Sequence, residues 1–332
     1  MRRSSLSGAV TVVGGLALLI WMVSSVGVAE IVADVRRIGW ALAAIIAISG
    51  LRFLLRAVAW RICLEPPNHL RLTDAFAAVV CGDTIGNITP LGPLVGEPAK
   101  AAFVRGRVAL GPAVTALAIE NLFYTLSAAA MIAAGTVALL LRFQPPSAVR
   151  GVGAVAVLAT LGLFAIALWM LWRQPALISR ALGLAPPLRR HAPRMQEIET
   201  RIYTFASRHR AAIPALAAAE MAFHALGVAE IYLTLWVLYG AAPPVLTAFV
   251  FEAANRLITV VFKVIPWRLG VDEAGTAYVA QLLGLATRTG LTLAIVRKLR
   301  ILFWSIIGGL LLVREGFTNR TAQLPQDQVE RG

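Results

Sequence analysis

Two segments of the sequence combine charged residues with prolines and glycines at a density that breaks helices. Residues 86–100 read GNITPLGPLVGEPAK, and residues 263–273 read KVIPWRLGVDE. Proline fixes the backbone and lacks an N–H donor, so neither segment can continue a regular helix. Each segment has carboxylates where a new helix is expected to start. They are Glu97 in the first segment, and Asp272 and Glu273 in the second. A helix start with free N–H groups and neighbouring cations can bind an anion such as a phosphate group.

Other charged residues lie in the apolar stretches around these segments. A charge at the centre of a membrane helix costs about 2.5–3.5 kcal/mol, so such residues are expected to pair or to line a wet cavity. The candidate substrate-binding residues are Asn87, Thr89, Glu97, Lys100, Glu120, Arg256, Lys263, Arg268, Asp272, Glu273 and Arg297. The residues expected to shape the two loops are Pro90, Gly92, Gly96, Pro266 and Gly270. No catalytic residue, metal site or cofactor is predicted, because the sequence has no nucleophile–base set and no metal-ligand spacing.

Two pairs of polar residues are spaced to share a helix face. Arg52 and Arg56 are four residues apart, as are Glu220 and His224. The arginine pair either meets lipid phosphates or extends to the membrane surface. The second pair either relays protons or has a structural role.

The composition indicates a helical membrane protein. Of the 332 residues, 58% are hydrophobic and 14% are charged, with a mean hydropathy of +0.75. Disorder needs low hydrophobicity, and an average soluble protein is about a quarter charged. The formal charge of +14 is attributed to arginines in cytoplasmic loops, and no nucleic-acid partner is expected because nucleic-acid-binding motifs are absent.

Eight apolar stretches are expected to be helical. Six of them are long enough to span a membrane, at residues 8–28, 38–60, 112–141, 151–172, 213–239 and 291–313. The other two, at 72–108 and 244–285, contain the broken segments. The fold class predicted is an all-α polytopic membrane protein with about six spanning helices and two re-entrant broken-helix hairpins. The alternative is that each interrupted stretch is a full span.

The two broken segments match each other and indicate an internal repeat. Aligning Pro90 with Pro266 also places Glu97 on Glu273. With three spans and one hairpin in each half, the second copy is inverted relative to the first, as in many transporters. The predicted organisation is a single membrane domain over 1–318, with repeats at about 1–145 and 146–318 and a polar tail at 319–332.

The distribution of charge predicts the orientation in the membrane. Residues 173–210 are rich in arginine, which is typical of cytoplasmic loops. This prediction places the loop and both termini in the cytoplasm, with the protein in the cytoplasmic (inner) membrane.

The segments Thr89–Glu97 and Pro266–Glu273 resemble the paired loops of an integral-membrane "flippase-like" family. That family is related to the transmembrane domain of lysylphosphatidylglycerol synthase, and Arg297 matches its late arginine. The likeness covers roughly residues 8–315, and the loops are most similar to the hopanoid-biosynthesis-associated branch. The resemblance implies lipid handling without aminoacyl transfer. Trp267 and Arg268 depart from the commoner glycine-rich second loop.

Three functions are compatible with these features. The first is a transporter that moves a polar-headed, hopanoid or isoprenoid-linked lipid, in which Lys100, Lys263 and Arg268 attract an anionic head. The second is a membrane scaffold that recruits lipid-biosynthetic enzymes through residues 173–210. The third, which is less favoured, is an intramembrane enzyme that modifies a lipid. The partner expected for the transporter and the enzyme is a membrane lipid, with an anionic or hopanoid lipid as the candidate, and the partners expected for the scaffold are lipid-biosynthetic enzymes.

Overall fold

The computed structural model describes residues 28–89, 92–184, 189–262 and 265–323. Within these ranges the chain is helical and has no β-strand, as the predicted fold class requires. The predicted first span lies outside the described residues except for its last residue, as does the end of the predicted tail. The rest of the molecule follows the order expected from the apolar stretches.

The helices fall into two similar series joined by a peripheral segment. The first series is α1 (Val28–Ile38), α2 (Ala41–Ile62), α3 (Leu72–Ile88), α4 (Pro93–Phe103) and α5 (Leu110–Phe143). The connecting segment is α6 (Ser147–Arg173), α7 (Leu177–Leu184) and α8 (Ala192–Arg208). The second series is α9 (Ala212–Tyr239), α10 (Val245–Val261), α11 (Val271–Leu282) and α12 (Thr287–Gln323). Among the described helices, α2, α5, α6 and α9 are long and apolar enough to cross a membrane.

Each interrupted stretch forms two helices that pack against each other. We call α3 with α4 the first hairpin and α10 with α11 the second hairpin. Helix α4 has 11 residues and α11 has 12. At 1.5 Å per residue each is about 16–18 Å long, roughly half the thickness of a bilayer core. The prediction of two broken-helix hairpins is confirmed, while the number of membrane crossings stays a prediction.

The start of α4 differs from the sequence prediction. The helix begins at Pro93 and not at Glu97. Gly92 has a φ of 31°, which a residue with a side chain rarely adopts, and it turns the chain into the helix. Pro93 then occupies the first helical position, where its missing N–H costs nothing. The second hairpin follows the prediction, since α11 begins at Val271 directly after Gly270, whose φ is 79°.

Each hairpin packs against a long helix of the other half. Helix α3 packs against α12, and α10 packs in the same way against α5. Gly308 of α12 lies against Val80 and Thr84 of α3, and Gly135 of α5 lies against Ala253 of α10. The two crossings join corresponding helices of the two series, and α2 packs along its own counterpart α9. This arrangement agrees with the internal repeat read from the loops. The exact repeat boundaries stay predictions.

The crossing at Gly308 provides a test of this packing. A Cβ added to Gly308 would lie 2.1 Å from Thr84 Oγ1 and 3.0 Å from the Val80 carbonyl oxygen. We expect Gly308→Ala to lower the thermal unfolding midpoint of the detergent-solubilised protein, because overpacking typically costs about 1–3 kcal/mol. The neighbouring substitution Gly309→Ala is the control, since a Cβ there meets nothing within 4 Å. Equal midpoints for the two variants would contradict the crossing.

The Arg-rich segment is more structured than a linker. Residues 173–210 contain α7 and α8, which pack against each other. The carboxylate of Glu199 on α8 accepts hydrogen bonds from the backbone N–H groups of Ile178 and Ser179, at distances of 2.7 Å and 3.2 Å. A carboxylate at a helix N-terminus stabilises that helix. The two helices therefore hold a defined arrangement, and α8 packs beside α5 and α6.

Helix α1 is attached to the start of α12 by an ion pair. Arg288 donates hydrogen bonds to both carboxylate oxygens of Asp34, with Nε at 2.6 Å from Oδ2, and Thr292 adds a third at 3.1 Å. Hydrogen bonding from Arg288 lowers the pKa of Asp34 below its ordinary value of 3.8. A depressed pKa stabilises the folded state above the ordinary value and loses that contribution as the pH falls through the folded value.

The pH dependence of this contact can be measured. We expect Asp34→Asn to lower the unfolding midpoint at pH 7, and we expect the difference from wild type to shrink as the pH falls below 3.8. Glu30→Gln is the control, because the Glu30 side chain is 57% exposed and its contact with Arg288 is screened by water. A difference that persists unchanged into acid would contradict the ionic role of Asp34.

Candidate functional site

A cavity of about 300 Å³ lies where both hairpins meet α2, α5, α9 and α12. We call it the central cavity. Its cationic lining residues are Arg52, Arg56, Lys100, Arg256, Arg268, Arg297 and Arg300. Its acidic lining residues are Asp83 and Glu97. Among the described residues the wall of this cavity therefore carries a clear excess of positive charge.

Carboxylates that pair with these cations lie behind the wall. Arg52 contacts Glu230 at 3.3 Å and Glu252 at 3.5 Å. Arg256 donates from Nε to Glu252 at 2.8 Å, and Arg300 also binds Glu230. Each of these two carboxylates thus serves two arginines. Because a buried charge is tolerated only when it is paired, these carboxylates hold the cations in place, and the cations are the groups that line the cavity.

The first hairpin presents a glutamate from the middle of α4, Glu97, and a lysine from its last turn, Lys100. Lys100 Nζ lies 2.6 Å from Glu97 Oε1, and Asn121 of α5 donates to Glu97 Oε2 at 2.8 Å. Arg56 in turn donates to Asn121 Oδ1 at 3.2 Å. The hairpin is therefore joined to α5 and α2 by polar contacts along the cavity wall. Close approach of α3 and α4 requires glycine, since a Cβ at Gly96 would lie 2.6 Å from the Gly82 carbonyl oxygen.

The second hairpin has a related arrangement, in which carboxylates of α11 contact cations of α12. Asp272 of α11 is fully buried and contacts Arg297 at 2.7 Å and Lys298 at 3.2 Å. Glu273 contacts Lys298 at 3.7 Å. In each half, a carboxylate of the second hairpin helix thus binds a side chain on the following long helix. In the second half that side chain is the cation Arg297, which lines the cavity, whereas Asp272 does not.

Arg268 reaches the cavity from an unusual backbone conformation. Trp267 and Arg268 have φ values of 55° and 48°, in the left-handed region that favours glycine. The Trp267 carbonyl accepts a hydrogen bond from Lys298, which helps to hold the turn. In the described part of the chain, Arg268 is the lining cation that has no carboxylate within 4 Å. Its charge is therefore directed at the cavity.

Aromatic rings hold three of the guanidinium groups. The Arg52 and Arg256 groups lie 4.5 Å and 5.0 Å from the centre of the Phe223 ring, and Arg56 lies 4.0 Å from the centre of the Tyr124 ring. Such cation–π contacts are attractive and also limit side-chain movement. The cavity wall is therefore positioned before any ligand enters.

The structure brings together many, but not all, of the predicted site residues. Those that line the central cavity are Asn87, Gly92, Gly96, Glu97, Lys100, Arg256, Arg268 and Arg297. Glu120, Asp272 and Glu273 lie behind the wall. The Thr89 hydroxyl donates to the Ile85 carbonyl at 2.7 Å and does not line the cavity. Gly270 begins α11, and Pro266 begins a short 3-10 turn. Pro90 and Lys263 lie outside the described residues.

Several lining residues were not among the predicted site residues. They include Arg52, Arg56, Asn121, Tyr124, Asn255 and Arg300. The spacing of Arg52 and Arg56 gives a signal. Both residues are buried and line the cavity, which argues against extension to the membrane surface, while contact with lipid phosphates stays a prediction. Nothing comparable marks Asn121 or Tyr124, whose position depends on the rotation of α5.

The comparisons with known proteins agree with the loop motifs. A family model described as "Lysylphosphatidylglycerol synthase TM region" matches residues 6–309. No curated protein and no solved structure matches this chain. The family match spans both hairpins and nearly all of the helices described above. The chain therefore belongs to the lysylphosphatidylglycerol synthase transmembrane-region family, a membrane family related to lipid handling.

Proposed function

We propose that this protein moves a lipid with an anionic head across the cytoplasmic membrane and leaves the lipid chemically unchanged. The observation that carries the proposal is the central cavity, where seven cationic and two acidic side chains face one space among the described residues. A phosphate group is best bound by several Arg and Lys donors in a site of low water content. Hopanoid or isoprenoid-linked lipids with an anionic head fit the same chemistry.

The hairpins support transport because of their length and apolar ends. In this proposal the short helices α4 and α11, about 16–18 Å long, reach only partway through the bilayer core, so their charged residues lie deep within it. Exposed apolar residues flank both breaks, at Ile88, Leu94 and Val261. A lipid could place its head in the cavity while its tails stay in contact with such residues. In this proposal both termini and residues 173–210 face the cytoplasm.

Translocation by the purified protein tests the proposal. Vesicles are made with trace phosphatidylglycerol labelled on one acyl chain near the head, and a membrane-impermeant reductant bleaches the outer leaflet. We expect the protein to bring inner-leaflet label to the reductant, whereas labelled phosphatidylcholine stays protected. Unchanged protection of phosphatidylglycerol would overturn the proposal. Mass spectrometry of the recovered lipid separates transport from catalysis, since an altered lipid would point to an enzyme.

A further inference from the structure

Two buried carboxylates beside the central cavity share one guanidinium group. Arg56 Nη1 lies 2.8 Å from Glu120 Oε1 and 3.9 Å from Glu220 Oε1. Glu120 is 1% exposed and Glu220 is 4% exposed. Among the described residues neither carboxylate has a second cation within 4 Å. When both are ionised, one positive charge therefore faces two negative charges.

An uncompensated buried carboxylate is costly, and such a group usually takes up a proton instead. Neither oxygen of Glu120 receives a hydrogen bond in the part of the chain that the structure describes. Both carboxylates lie within 4 Å of the same Arg56 nitrogen, and neighbouring carboxylates that interact titrate as a unit, so we assign one proton to the pair and not to either residue alone. The pair therefore offers one proton site.

A hydrogen-bonded chain leads away from this pair. The Ser127 Oγ atom lies 3.1 Å from Glu220 Oε2 and 3.0 Å from His224 Nε2. The Ser127 hydroxyl has one proton and also lies 2.9 Å from the Tyr124 carbonyl oxygen, so it donates to one of these three groups at a time while it accepts from a protonated Glu220 or His224. His224 is 6% exposed, and its Nδ1 atom has no hydrogen-bond partner among the described residues. That nitrogen can accept or release a proton at the end of the chain.

The same guanidinium belongs to the wall of the central cavity. Arg56 lines the cavity and is joined through Asn121 to Glu97 and Lys100. An anion that enters draws on the positive charge of Arg56 and adds a negative charge nearby. Both effects make the second carboxylate charge less favourable, so they promote proton uptake by the pair.

We propose that the Glu120–Glu220 pair takes up one proton each time an anionic headgroup enters the central cavity. The inference rests on the proposed function and adds proton coupling to the same site. Other titratable or charged groups also face the pair and its relay. They are Arg52 and Cys63 on α2, Glu97 and Lys100 on α4, and Tyr124 on α5. Arg256 of α10 contacts the Tyr124 hydroxyl. These charges are present both before and after the lipid binds. The anion that enters therefore decides whether the pair takes up or releases a proton.

Calorimetry can count the protons directly. The detergent-solubilised protein is titrated with dioctanoyl-phosphatidylglycerol in two buffers of different ionisation enthalpy. We expect uptake of about one proton per bound lipid, with a Kd that rises by up to about tenfold per pH unit in the range where the proton is lost. In Glu220→Gln the uptake should fall close to zero and the Kd should become independent of pH, because an amide carries no such proton. Glu120→Gln tests the same pair if the first variant fails to fold.

The experiment also has a matched control variant and two negative results that can be told apart. Glu199→Gln removes another buried carboxylate, on α8 and outside this cluster, and should leave the proton count at the wild-type value. Lipid binding without proton uptake in the wild type, or equal uptake in Glu220→Gln, would overturn this inference and leave the proposed function standing. Failure of the wild type to bind phosphatidylglycerol would overturn both.

Discussion

Replacing Arg268 with glutamine is expected to weaken binding of phosphatidylglycerol by about 10- to 100-fold without unfolding the protein. A hydrogen bond to a charged group contributes about 1.5–3 kcal/mol, which corresponds to that range of affinity. Arg268 has no carboxylate within 4 Å in the described structure, so its removal leaves no buried acid unpaired. Each of the other lining cations has a carboxylate within 4 Å, and removing such a cation would take an ionic partner from that carboxylate.

The effect is measured by titration of the solubilised variant with dioctanoyl-phosphatidylglycerol and by translocation in vesicles. Arg105→Gln is the matched control, because it removes the same charge from an exposed position outside the cavity. Its affinity should equal that of the wild type. Equal affinity for Arg268→Gln and the wild type, with both proteins folded, would show that this cation does not bind the headgroup.

The largest loss of stability is expected for Asp272→Asn. Asp272 is fully buried and contacts both Arg297 and Lys298. Breaking a buried ion pair by removing one partner typically costs about 3–5 kcal/mol, because a charge is left uncompensated. That is a large part of the 5–15 kcal/mol that separates folded from unfolded states in typical proteins. We expect a strongly lowered unfolding midpoint and a low yield of folded protein.

Two further variants identify the cause of that loss. Asp74→Asn also removes a carboxylate from an ion pair, but its partner Arg107 is 38% exposed, so an effect below about 1 kcal/mol is expected. The double variant Asp272→Asn with Arg297→Met should recover part of the lost stability, since the stranded charge is removed. A stable Asp272→Asn variant, or a double variant less stable than the single one, would contradict this account of the second hairpin.

The sequence allowed the broken helices to be predicted because their causes are local. Proline and glycine interrupt a helix wherever they cluster, and both predicted breaks occur. The predicted start of α4 at Glu97 was wrong, because two prolines in this segment are each suited to the first turn of a helix. Pro93 follows the turn at Gly92 and takes the first position, which leaves Pro98 inside the helix.

The composition of the cavity wall was less predictable because it depends on tertiary packing. The sequence marks Asp272, Glu273 and Glu120 as charged residues at membrane depth, but it does not reveal whether each faces the cavity or lies behind it. That choice follows from the rotation of α5 and α11 against their neighbours. Arg52 shows the same limit, because its orientation is set by packing of α2 along α9.

Photo-crosslinking in vesicles tests most directly whether a lipid head enters the central cavity. The probe is phosphatidylglycerol with a diazirine on its headgroup, and the adducts are located by peptide mass spectrometry. We expect adducts on cavity residues such as Thr259 and Trp267 of the wild type, and their marked reduction in Arg268→Gln. Adducts confined to the outward-facing surface of α6, for example at Leu158 or Leu161, would contradict it.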